Sequence, residues 1–217
     1  MIVTDSVQAY LEALRPEPDP LLAEMEAHGE RDRIPIVVPE AGRLLHIIAL
    51  VRGARRIVEV GTAIGVSTLY MARALPADGV VVSFDIDPER HAAASGYLER
   101  AGVLDRVDLR LEDARAGLAA LDGPFDMAFI DGVKAQYGDY LGALLPLLGP
   151  GGVLAVDNVL ASGTVAEGRG NADWSDEDVQ GLRAFNERLL TDERLTGTVT
   201  PVGDGVLIAV RNPEVDA

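Results

Sequence analysis

From Arg55 onward, short runs rich in β-branched residues alternate with segments of helical periodicity. The strand-like runs are almost continuously apolar, which is typical of strands that are covered on both faces. Strands separated by a helix run parallel, because the chain must cross back over the sheet between them. The alternation therefore predicts an α/β fold with a parallel sheet and helices on both faces. The predicted strands are Arg56–Val60, Val80–Phe84, Val107–Leu111, Phe125–Ile130 and Gly152–Val156.

Helix signals separate these strands, and the C-terminal end departs from the rhythm. Asp87-Pro88 places a capping residue before a proline at the first helical position, which favours a helix start. Two further strands, Thr198–Val202 and Val206–Val210, are joined only by Gly203-Asp204-Gly205, so they must be antiparallel. The sheet is thus predicted to be mostly parallel, with an antiparallel C-terminal hairpin. The predicted helices are Val66–Leu75, Pro88–Ala101, Ala114–Leu121, Tyr137–Leu148 and Ser175–Leu190.

The first part of the chain is predicted to be a helical cap. Helices are expected over Thr4–Leu14, from Pro20 to about Gly29 and from Pro39 to Gly53, with an irregular segment over Arg31–Val38. We expect all 217 residues to form one domain, with residues 1–53 as the cap and residues 54–217 as the α/β core. The first helix carries an apolar stripe that can cover its own domain or a partner subunit, formed by Val7, Tyr10, Leu11 and Leu14.

Composition narrows the classes of partner. The formal net charge is −16, and an acidic chain repels nucleic acid unless a basic patch overrides the global field. The arginines are scattered, so nucleic acid is disfavoured as a partner. No apolar stretch approaches the roughly 20 residues that a membrane span needs. Cysteine is absent and Met1–Tyr10 lacks the pattern of a secretory signal, so we expect a cytoplasmic protein.

The segment Ile57–Ser67 joins the first strand to a helix through a turn that is flanked by Gly61 and Gly65. Glycine lets the backbone approach a ligand closely and adopt positive φ. In a doubly wound sheet, ligands bind beyond the C-terminal ends of the strands, where such a turn lies. The spacing differs from the dinucleotide-binding G-x-G-x-x-G pattern, so the turn alone is weak evidence for a ligand.

Acidic residues at nearby strand ends indicate which ligand the turn serves. Asp85 closes the second strand, where a carboxylate can accept from both hydroxyls of a ribose. Asp113 follows the third strand and can either accept from an adenine amino group or cap the next helix. Glu59 makes the mouth of the turn acidic, which suits a cationic sulfonium better than a pyrophosphate. The set favours an adenosine ligand with a sulfonium.

Oxygen ligands follow the fourth and fifth strands. Asp131 ends the fourth strand, and Asp157 and Asn158 end the fifth. If the two strands are neighbours, the three side chains project into one crevice. Oxygen-only ligands suit a hard cation such as Mg²⁺, or Mn²⁺ or Ca²⁺, rather than zinc. The alternative interpretation of a single acid at a strand end is a loop cap.

Lys134 lies three residues after Asp131 and is the only lysine in a chain that otherwise uses arginine for its basic residues. Arginine stays protonated, whereas a lysine can lose its proton. Beside a divalent cation an ammonium is electrostatically disfavoured, which favours the neutral amine that a general base requires. We therefore expect Lys134 to act as a base, the alternative being an ordinary exposed lysine.

Taken together, these motifs resemble those of the cation-dependent O-methyltransferases, the family that includes catechol and caffeoyl-CoA O-methyltransferases. The chain resembles the small bacterial members most. The resemblance covers about residues 36 to 211 and implies a class I methyltransferase fold with a Rossmann-like sheet. Its most specific parts are Val58-Glu59-Val60-Gly61-Thr62, Phe84-Asp85-Ile86-Asp87-Pro88, Phe129-Ile130-Asp131-Gly132-Val133-Lys134 and Asp157-Asn158-Val159.

The resemblance implies S-adenosylmethionine as cofactor, a divalent metal ion, a phenolic acceptor with vicinal hydroxyls (a catechol or a hydroxycinnamoyl compound) and a homodimer. The implied cofactor-binding residues are Val37, Glu59, Gly61, Thr62, Ser67, Asp85, Asp113, Ala114 and Asp131. The implied metal ligands are Asp131, Asp157 and Asn158, and the implied catalytic residues are Lys134, as the base, and Asp131.

Three other functions stay open at the level of the sequence. Some relatives methylate a hydroxylated tRNA base, which the acidity of this chain disfavours. A nicotinamide-dependent oxidoreductase would need a different glycine spacing. A protein that binds the cofactor without catalysis is disfavoured by the set Asp131, Lys134, Asp157 and Asn158. Two irregular segments, Arg31–Val38 and Leu160–Asp173, are expected to cover the crevice, with Trp174 at its edge.

Overall fold

A seven-stranded sheet forms the centre of the protein, of which the computed structural model describes residues 4–17 and 19–213. The strands are β1 (Arg56–Val60), β2 (Val80–Asp85), β3 (Val107–Leu111), β4 (Phe125–Ile130), β5 (Leu148–Val156), β6 (Leu195–Thr200) and β7 (Val206–Arg211). Their order across the sheet is β3-β2-β1-β4-β5-β7-β6. Strands β1 to β5 are parallel, and β7 is antiparallel to both β5 and β6. The predicted sheet, parallel with an antiparallel hairpin at its C-terminal end, is confirmed.

Helices cover both faces of this sheet, as predicted. They are α1 (Asp5–Ala13), α2 (Pro20–Asp32), α3 (Pro39–Arg52), α4 (Val66–Ala72), α5 (Pro88–Arg100), α6 (Ala114–Ala119), α7 (Tyr137–Leu147), α8 (Thr164–Glu167) and α9 (Asp176–Leu190). One apolar core lies under α2 to α5 and the other under α6 to α9. The alternation of β1 supplies both cores, because Ile57 packs on the first and Val58 and Val60 pack on the second.

Several predicted boundaries were wrong. Helix α2 does not stop at Gly29 but continues to Asp32, and Arg33 closes it in the left-handed conformation. Gly29 serves packing instead, because a Cβ there would lie 2.9 Å from Cδ1 of Ile36. Helices α4 and α6 end two or three residues early, and β5 begins at Leu148 rather than Gly152, across an irregularity in its pairing with β4.

The first strand of the hairpin also differs from its predicted bounds. Strand β6 begins at Leu195 and ends at Thr200, three residues before the predicted start and two before the predicted end. Pro201 follows it and has no N–H to donate, so the ladder stops there. The segment Leu160–Asp173 is not wholly irregular, since it contains a 3-10 turn over Ala161–Gly163 and the single turn of α8.

The N-terminal helix α1 lies at the surface. Its apolar residues Val7, Tyr10, Leu11 and Leu14 are exposed, by 39% to 64%. Beyond the end of the helix, Arg15 forms an ion pair with Glu40 of α3. The exposure leaves the apolar stripe available to a partner subunit, and the homodimer stays a prediction. In the described part of the chain, no helix has the length and hydrophobicity needed to cross a membrane.

A pair of helical glycines tests the packing of α6 on the sheet. A Cβ on Gly117 would lie 2.1 Å from the ring of Phe84, which is buried in the core, whereas a Cβ on Gly96 of α5 would meet nothing within 4 Å. We expect Gly117→Ala to lower the free energy of unfolding by about 1–3 kcal/mol through overpacking. The matched Gly96→Ala should raise it by about 0.4–1 kcal/mol. Urea unfolding measures both, and equal effects would contradict this packing.

Candidate active site

A cavity of about 520 Å³ lies beyond the C-terminal ends of the parallel strands, where a doubly wound sheet binds its ligands. One group of its lining residues comes from the α2–α3 segment and from the ends of β1, β2 and β3: Pro35, Ile36, Gly61, Ala63, Asp85, Ile86, Arg90, Glu112, Asp113 and Ala114. The other follows β4, β5 and the hairpin or precedes α9: Asp131, Val133, Lys134, Gln136, Asp157, Asn158, Trp174 and Asp204. We call the first group the cofactor end and the second the acceptor end, after the ligands that the resemblance to O-methyltransferases implies for them.

The glycine turn after β1 brings these two ends together. Gly61 has a φ of +99°, and a Cβ at this position would lie 2.1 Å from the carbonyl oxygen of Asp131. Its N–H donates to the carbonyl of Phe84 at 2.9 Å, which joins the turn to β2. A glycine is therefore required where the ends of β1 and β4 meet.

Glu59, which the sequence assigns to the cofactor, lies behind this turn and is fully buried. It is not among the residues that line the cavity. Its carboxylate accepts hydrogen bonds from the hydroxyls of Ser67, Thr68 and Ser83 at 2.5 to 2.6 Å. Burial raises the pKa of Glu59 to about 7, although the three hydroxyls oppose the shift. Glu59 thus holds the start of α4 against β1 and β2.

Three more predicted cofactor residues also lie outside the cavity wall. Thr62 and Ser67 are buried, and the Thr62 hydroxyl lies 2.5 Å from that of Ser83 in the same network. Val37 is buried in the core under α2 to α5, while its neighbours Pro35 and Ile36 line the cavity. The side chains of Thr62 and Ser67 support the turn from behind, and the contact of all three residues with a cofactor stays a prediction.

Asp85 lines the cavity and also fixes the glycine turn. Its carboxylate accepts from the N–H of Ala63 at 2.7 Å and from the N–H of Asp87 at 2.9 Å. Asp87 is the N-cap of α5, as predicted. Asp113 caps α6, which confirms one of its two predicted roles, and it lines the cavity, while its contact with an adenine stays a prediction. The neighbouring Arg115 guanidinium lowers the pKa of Asp113.

The acceptor end is built around Lys134. Its Nζ donates to Oδ1 of Asp131 at 2.9 Å and to Oδ1 of Asn158 at 2.5 Å. The ammonium also lies 5.2 Å from the ring centroid of Tyr137, which is buried beneath it. The hydroxyl of Tyr137 donates to the carbonyl of Asp157 at 3.1 Å. Lys134 is thus partly buried and held by contacts from three sides.

Asp157 is the most buried carboxylate of the acceptor end, with 5% of its surface exposed. Burial raises its pKa to about 7, and the charges of Asp131 and Asp204 act in the same direction. The N–H of Asn158, at 2.7 Å, and the charge of Lys134 oppose the rise. Negative charge is therefore crowded at this point, which favours the approach of a cation.

The residues present fit a divalent metal ion. Strands β4 and β5 are neighbours, as the prediction required, and they bring Asp131 and Asp157 to one edge. The oxygens of Asp131 and Asn158 already converge on one positive group, the ammonium of Lys134. Two carboxylates and an amide oxygen are donors that a hard cation prefers. No group of three or more acidic or histidine side chains suited to a metal occurs among residues 4–17 and 19–213, so the amide is needed to complete this set.

The sequence did not identify several residues of the cavity. Ile86, directly after Asp85, exposes 70% of its surface beside the cavity, which suits a flat apolar ligand group. The sequence carried a signal for this position, since Ile86 is an apolar residue that stands between two acids, Asp85 and Asp87, just after a predicted strand. Arg90 and Asp204 line the cavity because helix α5 and the β6–β7 turn fold over it, and no local pattern reveals that.

Comparison with known proteins gives one consistent family. Residues 17–212 match the sequence profile of a family described as O-methyltransferase. A catechol O-methyltransferase of Niastella koreensis is 35% identical over 219 residues, which cover 96% of this chain and 97% of the relative. Tricin synthase 2 of Oryza sativa is 38% identical over 181 residues, but the match spans 80% of this chain and only 62% of that relative's length.

Solved structures agree with this result. The O-methyltransferase TomG of Streptomyces achromogenes, involved in tomaymycin synthesis and solved in complex with SAM, has a TM-score of 0.83 and 34% identity, covering 95% of this chain and 96% of its own. An O-methyltransferase of Bacillus cereus, solved in complex with SAH, has a TM-score of 0.83 and 32% identity, covering 95% of this chain and 97% of its own.

The buried carboxyl of Glu59 makes a prediction about stability and pH. Its pKa in the folded protein, about 7, exceeds its ordinary value of 4.5, so the folded state binds this proton more tightly than the unfolded state does. The stabilisation is present below pH 4.5 and is lost as the pH rises towards 7. Relative to Glu59→Gln, the wild-type protein should lose about 1–3 kcal/mol of unfolding free energy across this window.

Urea unfolding at a series of pH values measures this difference. Glu99→Gln, which changes an exposed carboxyl on α5, is the matched control and should follow the wild-type curve at every pH. A Glu59→Gln curve that stays parallel to the wild-type curve would show that Glu59 does not titrate in this window.

Proposed function

Because the chain belongs to the O-methyltransferase family, we propose that it transfers the methyl group of S-adenosylmethionine to a hydroxyl of a small phenolic acceptor with vicinal oxygens, assisted by a divalent cation. One observation carries this proposal: oxygens of Asp131 and Asn158 meet at Nζ of Lys134, next to the buried carboxylate of Asp157. A hard-cation donor set and a candidate base thus share one end of the cavity.

The cofactor end suits an adenosine-containing cation. Asp85 presents a carboxylate for ribose hydroxyls, and the exposed side chain of Ile86 offers an apolar surface for the base. The cofactor supplies an electrophilic methyl group on a cationic sulfonium, which the acidic lining of the cavity attracts. The backbone of the Gly61 turn abuts the carbonyl of Asp131, and in this proposal the methionine part of the cofactor would lie at this turn, between the two ends.

Asp131, Asp157 and Asn158 would hold the divalent cation. When bound there, a divalent cation lowers the pKa of a coordinated hydroxyl and orients two vicinal oxygens of an acceptor. The crowded carboxylates at Asp131 and Asp157 would no longer repel one another with that charge between them. Tyr137 fixes the backbone of Asp157 from beneath through its hydroxyl.

Lys134 is the proposed general base. In its neutral form, Nζ accepts the proton of the acceptor hydroxyl, and that oxygen then forms a bond to the methyl carbon as the carbon–sulfur bond breaks. The contacts from Asp131, Asn158 and the ring of Tyr137 hold Nζ at the mouth of the crevice. Such positioning of two reactants supplies a large share of the acceleration, roughly 7–11 kcal/mol in well-oriented cases.

The shape of the acceptor end favours a flat ring. Trp174 lies two residues before the start of α9, a helix that packs on the Lys134–Gln136 turn. Its partly buried ring lines the cavity. The segment Asn171–Trp174 is closed on itself, since Asn171 N–H donates to the Trp174 carbonyl at 2.8 Å. An aromatic acceptor would bury its ring against Trp174 while its oxygens face Asp131 and Asp157.

Lys134→Arg tests the base. Arginine keeps the positive charge beside Asp131 but stays protonated, so it cannot accept the acceptor's proton. We expect kcat to fall by about 10²–10⁴-fold, the usual contribution of a general base. Calorimetric titration with S-adenosylhomocysteine is the control and should give a wild-type affinity. Turnover close to the wild-type rate would eliminate Lys134 as the base.

Removal of divalent cations tests the metal. Exhaustive EDTA treatment should reduce methyl transfer from labelled S-adenosylmethionine to a panel of catechols by at least about tenfold, and added Mg²⁺ should restore it. Asp157→Asn, which weakens the donor set without changing its shape, should raise the Mg²⁺ concentration needed for half-maximal rate. Full activity after EDTA treatment would count against the cation, and no transfer to any phenol of the panel would count against the acceptor class.

A further inference from the structure

The turn between β6 and β7 carries one carboxylate, that of Asp204, to the acceptor end of the cavity. Its neighbours Gly203 and Gly205 have φ values of +56° and +90°, which glycine adopts without strain. The turn is joined to the segment after β5, because Leu160 N–H donates to the Asp204 carbonyl at 2.8 Å and Val159 N–H donates to the Gly205 carbonyl at 3.0 Å. Asp204 is therefore held at the cavity wall by backbone contacts.

The side chain of Asp204 has few polar partners in the described part of the chain. The Ser162 hydroxyl donates to its Oδ1 at 3.1 Å. None of the ion pairs found within residues 4–17 and 19–213 includes Asp204. No Lys or Arg of the described residues therefore neutralises this carboxylate, and an acceptor bound at this end would feel its charge.

Positive groups are scarce at this end of the cavity. Among the described residues that line the whole cavity, the cations are Arg90, at the cofactor end, and Lys134. Arg90 lies on α5, where it forms an ion pair with Asp87. The ammonium of Lys134 is already bonded to Asp131 and Asn158. Apart from the divalent cation proposed above, an anionic group on the acceptor would therefore find no free cation among the described residues here and would face the carboxylate of Asp204.

Trp174 completes a surface that suits a cation. An indole ring is the aromatic face that binds ammonium groups best, and Trp174 and Asp204 line the same end of the cavity. Resting on the O-methyl transfer proposed above, we propose that Asp204 selects acceptors by charge. It favours phenols whose side chain ends in a cation over phenols of the same shape whose side chain ends in a carboxylate.

The single tryptophan of the chain gives a direct measurement. Protein loaded with S-adenosylhomocysteine and Mg²⁺ is titrated with three ethylcatechols that differ only in a terminal ammonium, methyl or carboxylate group, and Trp174 fluorescence reports binding. We expect the ammonium form to bind at least about tenfold more tightly than the carboxylate form at low ionic strength. Added salt should reduce this ratio, because it screens a partly exposed charge.

Two variants separate the charge of Asp204 from its role in the turn. Asp204→Asn keeps an acceptor for Ser162 but removes the charge, and it should reduce the affinity ratio by about three- to tenfold. Ser162→Ala removes that hydrogen bond but keeps the charge, so it should leave the ratio unchanged. Equal affinities in the wild-type protein, an unchanged ratio in Asp204→Asn, or no quenching by any of the three compounds would overturn the inference.

Methyl transfer to the same three compounds separates this inference from the proposed function. A charge preference in binding without any methylated product would contradict the proposed reaction and leave the selection by Asp204 intact. Methylation of all three at equal kcat/KM, with the same result in Asp204→Asn, would support the reaction and overturn the selection.

Discussion

The backbone of Gly61 lies so close to the carbonyl oxygen of Asp131 that a Cβ on Gly61 would stand 2.1 Å from it. This approach joins the ends of β1 and β4, and the N–H of Asp131 reinforces it by donating to the carbonyl of Val60 at 2.8 Å. The two parts of the cavity meet at this point. Any larger residue would force apart the turn after β1 and the loop that carries Lys134, so the relative position of the two ends of the cavity depends on the absence of a side chain at Gly61.

A second set of backbone contacts fixes the other wall. The segment after β5 and the turn between β6 and β7 hydrogen-bond to each other through Leu160 and Asp204, and a Cβ on Gly205 would lie 2.5 Å from Leu160. An antiparallel hairpin beside β5 is what makes this possible, because it returns the chain to the edge at which the parallel strands end. The acceptor end is thus built from segments held by the sheet, although it consists of loops.

The strand pattern predicted which acids would meet on the condition that β4 and β5 are neighbours, which the strand order of the sheet confirms. Parallel strands end at one edge, so Asp131 and Asp157 had to be close once β4 and β5 were neighbours. The burial of Glu59 in a network of hydroxyl groups could not be predicted, because it depends on the register that pairs Glu59 with Ser83 of β2. The same limit applies to Asp204, which reaches the cavity through tertiary packing. The start of β6 depended on its pairing with β7, which no local propensity records.

Two buried carboxyls with similarly raised pKa values, Glu59 and Asp157, show why burial alone does not identify a functional group. Glu59 has three hydroxyl donors and lies outside the cavity wall, so its bonds are complete and its role is to hold the fold. Asp157 accepts one backbone N–H, faces the cavity and is repelled by neighbouring acids. Its incomplete set of partners is what a cation would complete, so an unsatisfied environment, rather than burial, marks Asp157 as the candidate ligand.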